Sequence, residues 1–105
     1  MKRKFKEGTS GLTSLIKNHK LGSFLLPLAL NYRSFGYFNL NKYQKALQDL
    51  ESLQDIKTLD LGANYNKLIL QGLIQGELGR FHSSMNFFKT ASDVSNSIKS
   101  AIFYK

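Results

Sequence analysis

The sequence has no cysteine and no tryptophan, a single proline in 105 residues, and seven acidic side chains against fifteen Lys and Arg. Without cysteine there is no disulfide, no thiol nucleophile and no thiolate metal ligand. The two histidines, His19 and His82, are too far apart for a metal-ligand spacing, and neither stands beside a Ser and an acid arranged as a proton relay. Gly72, Gly76 and Gly79 lack the Lys and hydroxyl residue that would follow in a phosphate-cradling loop. Asp49, Glu51, Asp55 and Asp60 lack the central Gly of a calcium loop, so they read as a solvated face. Neither a metal, a cofactor nor an enzyme is expected from this inventory.

Long hydrophobic runs are also missing. The most apolar stretch, Leu21 to Leu30, is ten residues long with Pro27 inside it, too short to span a bilayer. Apolar residues make up 42% of the chain and aromatics 12%, enough for the core of one small domain. Residues 1–26 are basic, hydroxyl-rich and poor in acids, as mitochondrial leaders are. The expected location is therefore the cytoplasm or a large intracellular assembly, with the mitochondrial matrix as the alternative.

What is present is unevenly distributed. Residues 1–48 carry nine Lys or Arg against one acid, Glu7, whereas residues 49–105 carry six of each sign. Lys2, Arg3, Lys4, Lys6, Lys17 and Lys20 form the densest basic patch. Such a half is either a solvated tail or an electrostatic footprint for nucleic acid, RNA above all, for an acidic protein or for an anionic membrane.

An internal repeat organises the rest. LNKYQKALQDLESL from Leu40 aligns with LGRFHSSMNFFKTA from Leu78 at an offset of 38 residues, placing Tyr43 on Phe81, Ala46 on Ser84, Leu47 on Met85, Leu50 on Phe88 and Leu53 on Ala91. These steps trace one face of a helix. Upstream, Leu30, Ser34 and Tyr37 in one copy, and Leu61, Tyr65, Leu68 and Gly72 in the other, mark a preceding helix in each. Ser34 and Gly72 also correspond, and a small residue at mid-helix implies a close helix crossing. The connections Asn41-Lys42 and Gly79-Arg80 place Asn or Gly where a helix end takes the left-handed conformation. The expected fold is all-α, with antiparallel helix pairs. Helices are expected near 12–24, 27–40, 43–54, 61–78, 81–93 and 96–105. The core should hold Leu30, Ser34, Tyr37, Tyr43, Ala46, Leu47 and Leu50 in one copy, and Leu68, Gly72, Phe81, Met85 and Phe88 in the other.

Leu78-Gly79-Arg80-Phe81 and Leu40-Asn41-Lys42-Tyr43-Gln44-Lys45-Ala46-Leu47 resemble the turn and second-helix start of the tetratricopeptide repeat family. The resemblance covers residues 27–94. Ser84 stands where the family has Ala, Gln75 where it has Tyr, no Pro closes either unit, and the period is longer by about four residues, assigned to Asp55–Asp60. It implies a short right-handed solenoid of stacked hairpins that binds partners through its first helices. The organisation then reads as a basic, flexible segment 1–11, a flanking helix 12–26, repeats at 27–60 and 61–94, and the front half of a third repeat or a capping helix at 95–105. Ser95-Asn96 would cap that last helix.

The resemblance implies a non-catalytic scaffold or adaptor within a larger assembly of protein subunits. Leu28, Asn31, Phe35 and Phe38 in the first copy, with Ile69 and Leu73 in the second, line the expected partner groove. Ile98, Ile102 and Phe103 form an expected C-terminal edge for docking. The alternative is an RNA-associated subunit of a ribonucleoprotein that uses the basic N-terminal half.

Overall fold

In a computed structural model the described backbone comprises residues 2–18, 22, 25–54 and 61–103, with side chains described for 3–18, 22, 25–54 and 61–100. Five helices and no strand occur among the described residues: α1 Lys2–Asn18, α2 Leu25–Asn39, α3 Tyr43–Gln54, α4 Leu61–Glu77 and α5 Phe81–Phe103. The chain falls into two compact units, Met1–Thr58 and Leu59–Lys105. In the first, α1 and α3 both pack on α2; in the second, α5 packs on α4.

Each unit contains a helical hairpin, and the two turns share the same closing hydrogen bonds. Asn41 and Gly79 take φ of 60° and 78°, the left-handed region that ends a helix. The Lys42 amide donates to the Tyr37 carbonyl and the Arg80 amide to the Gln75 carbonyl, both at 2.8 Å. The Asn41 amide donates to Phe38 at 3.0 Å and the Gly79 amide to Gly76 at 3.1 Å. This pair of bonds satisfies carbonyls that a helix end otherwise leaves open. The 38-residue offset read from the sequence is therefore the offset of the hydrogen-bond pattern itself.

Packing within the hairpins follows the same register. Leu30, Ser34, Ala46, Leu50 and Leu53 are buried in the first; Leu68, Gly72, Ser84 and Ala91 are buried in the second. Residue size is exchanged between facing helices. Where the first hairpin sets Ser34 with Leu50 at the equivalent positions, the second sets Gly72 under the Phe88 ring, so close that a Cβ on Gly72 would lie 2.6 Å from Cε1. The Ser84 hydroxyl donates to the Gly72 carbonyl at 2.8 Å, which satisfies a buried polar group at the crossing.

Five expectations need correction. Phe81 and Met85 are not core: they are 71% and 68% exposed. In the first copy Tyr43 leans on Phe38 with ring centroids 5.9 Å apart, but Phe38 is replaced by Gly76 in the second, so Phe81 has no ring to lean on. The first helix does not begin near 12 behind a flexible 1–11: α1 is Lys2–Asn18, and of the expected remainder 19–24 all but residue 22 lie outside the described residues. Phe5 meets Phe35 edge-on at 5.8 Å, and Thr9 fills the space a side chain on Gly36 would need. These contacts override the poor helix propensity of Gly8 and Gly11. No break falls at Ser95-Asn96, because α5 runs through it and the Ser97 hydroxyl bonds back to the Asp93 carbonyl. Residues 95–103 thus continue α5 and do not start a third-repeat helix of their own. Asp49 is buried, not solvated, and α2 starts at Leu25, so that Pro27 lies in a first turn where no amide partner is lost. The four extra residues assigned to Asp55–Asp60 lie outside the described residues.

Candidate functional site

The first unit is tied together by one polar network. Arg33 on α2 grips Asp49 on α3 with two bonds, Nε to Oδ2 at 2.8 Å and Nη2 to Oδ1 at 2.5 Å, and reaches the Thr13 hydroxyl on α1 at 3.4 Å. The hydrogen bond to Asp49 raises the guanidinium pKa above its ordinary value against the opposing effect of burial. Arg33 and Lys45 both stand over the Tyr37 ring, at 5.6 and 5.7 Å from its centre. Arg33 and Asp49 are 16 residues apart on different helices, so no local pattern announced the pair.

Outside these contacts the helices leave apolar faces open. On α2, Leu25, Leu28, Tyr32 and Phe35 recur at i, i+3, i+7 and i+10, which is one stripe. Their exposures are 54, 40, 64 and 50%. Of the groove residues read from sequence, Leu28, Phe35 and Leu73 are exposed, whereas Asn31, Phe38 and Ile69 are half-buried. Phe35 and Leu73 are 38 residues apart, so the same position opens to solvent in both copies. On α5, Phe81 and Met85 add a second open pair one turn apart. Tyr32 was missed by sequence reasoning, although its place between Leu28 and Phe35 on one helix face could have revealed it.

The remaining candidates divide sharply. Arg3, Lys4, Lys6 and Lys17 are exposed on α1, while the side chains of Lys2 and Lys20 lie outside the described residues. Ile98 is half-buried on α5; the side chains of Ile102 and Phe103 lie outside the described residues, as does His19. Among the described residues no group of three His, Cys, Asp or Glu could hold a metal ion. No described helix is long and apolar enough to cross a membrane. His82 is exposed, and its neighbour Ser84 is committed to the Gly72 carbonyl.

Set against protein-family models, curated proteins and solved structures, the chain gives no match in any of the three comparisons.

Proposed function

We propose that this chain is a non-catalytic interaction module, a scaffold or adaptor subunit that holds segments of partner proteins on its open helix faces. The reading treats its two hairpins as divergent repeats of the tetratricopeptide kind. One observation carries it: the Leu25, Leu28, Tyr32 and Phe35 stripe stays exposed although it lies on a helix packed on other sides by α1 and α3. Single exposed apolar residues need no explanation, but four in one line on a well-packed helix mark a binding surface. An amphipathic helix laid along the stripe would meet the apolar anchors at its own spacing.

A photo-crosslinking residue at position 32, used in extract from the native source, should give one or a few discrete protein adducts. Leu25→Ser combined with Leu28→Ser, exposed positions of the same stripe away from the Phe5 contact, should abolish them while leaving helix content intact. Crosslinking that is diffuse, or unaffected by those two substitutions, would count against the reading.

A further inference from the structure

The two hairpins differ by one aromatic ring. In the first, Phe38 on α2 and Tyr43 on α3 lean together with centroids 5.9 Å apart. Their counterparts 38 residues on are Gly76 and Phe81. The second hairpin therefore keeps one ring of the pair and leaves a notch where the other would stand: a Cβ on Gly76 would meet only the Ser84 hydroxyl oxygen, at 3.4 Å. Phe81 beside it is exposed. Leu73 lies three residues before Gly76 on α4 and Met85 four residues after Phe81 on α5, so both continue the same side of the hairpin, and both are exposed.

A protruding ring next to a notch that lacks a ring, on one surface, is self-complementary. A twofold axis parallel to the helices sets α5 of each copy against α4 of the other. Gly76 and Phe81 flank the same turn of an antiparallel hairpin, so this rotation brings each Phe81 over Gly76 of the other copy and each Met85 against its Leu73. The charges agree with the rotation. Glu77 follows Gly76 and Arg80 precedes Phe81, both exposed, so each Glu77 is turned toward Arg80 of the other copy. Net charge selects this unit as well. Met1–Thr58 carries ten Lys or Arg against four acids, whereas Leu59–Lys105 carries five against three, so two copies repel least through the second. A foreign segment would need both a ring for the notch and a hollow for Phe81, at the right separation; a second copy has both.

We propose that the Leu73, Gly76, Phe81 and Met85 face of the second hairpin binds the same face of a second copy of this chain, forming a twofold dimer of hairpins in which each Phe81 ring fills the notch at Gly76 of the other. The interface lies on α4 and α5 and is separate from the α2 stripe. Leu73, Phe81 and Met85 leave roughly 350 Å² of apolar surface open in each copy, below the roughly 800 Å² per partner of a stable dimer, so the association is reversible and concentration dependent.

Sedimentation equilibrium of the full chain, from roughly 10 μM to 1 mM, tests this. The expected result is a monomer–dimer equilibrium with no larger species, because a twofold contact closes on itself. Phe81→Ser, at an exposed position, should weaken dimerisation at least about tenfold with helix content unchanged. Gly76→Phe supplies the missing ring from within the chain, as Phe38 does in the first hairpin, and should weaken dimerisation as much while the unfolding midpoint holds or rises. A photo-crosslinking residue at position 81 in extract from the native source should give an adduct of two copies. The proposal is overturned by a chain that stays monomeric at 1 mM, by growth beyond the dimer, by association that Phe81→Ser leaves unchanged, or by a position-81 adduct with a different protein alone.

Discussion

Substituting Gly72 by Ala adds one methyl group where the Phe88 ring already lies. The new Cβ would stand 2.6, 2.8 and 3.0 Å from ring atoms Cε1, Cδ1 and Cζ. Ordinary carbon contacts are roughly 3.5–4.0 Å, so the overlap approaches 1 Å. At an open helical position the same change would gain about 1 kcal/mol of helix propensity. Overpacking of this kind costs about 1–3 kcal/mol, which gives a net loss of up to about 2 kcal/mol. Phe88→Leu removes the obstacle and approaches the Ser34 and Leu50 arrangement of the first hairpin. In that background Gly72→Ala should become favourable by about 1 kcal/mol, so the two sites should couple by about 1–3 kcal/mol. Urea unfolding of the four proteins, followed by helical circular dichroism, measures this directly. A Gly72→Ala variant more stable than the parent by the full propensity gain, with the same gain after Phe88→Leu, would refute the close crossing.

Other consequences follow from the same contacts. Asp49→Ala should cost about 3 kcal/mol, because Arg33 is left unpaired, whereas Arg33→Met with Asp49→Leu should recover most of it; thermal unfolding distinguishes them. The folded-state pKa of Arg33 is raised, so its contribution is fully present below the ordinary guanidinium pKa and is lost only above it; unfolding between pH 6 and 9 should show no step from this residue. Burial lowers the Lys67 pKa, so the folded state releases its proton first and stability should rise as pH climbs toward the ordinary lysine value. Lys67→Met should raise the unfolding midpoint at neutral pH and flatten that rise. Gly79→Ala places a side chain at φ of 78° and should cost about 1–2 kcal/mol in the unfolding free energy, with Asn41→Gly neutral to slightly stabilising.

The turns and small residues were the most legible part of this fold, because the physics that selects them is local. Asn41 and Gly79 are written where the backbone must go left-handed, and Gly72 where a ring crosses. Helix faces were less legible, because which flank is buried depends on what lies across. Phe81 and Tyr43 share a register position, yet only Tyr43 has a ring opposite it, and that ring belongs to the other helix of its hairpin. The reach of α1 was hidden for the same reason: residues 8–11, with two glycines, fall in the segment expected to be flexible, and the fit of Thr9 against Gly36 makes them helix interior. The buried state of Asp49 required knowing where Arg33 would be. Of the candidate surfaces, the basic patch was plain from composition, and the open apolar positions were half legible, since periodicity marks a stripe without saying whether a neighbour covers it.

The claim on which the account rests is that one hairpin plan is used twice, 38 residues apart. Backbone dihedral angles measured by solution NMR test it most directly. Plotted for residues 30–53 and 68–91, the two profiles should coincide when shifted by 38, with left-handed values at both Asn41 and Gly79 and helical values on either side. A right-handed or extended Asn41, or turns that fall at any other offset, would contradict it.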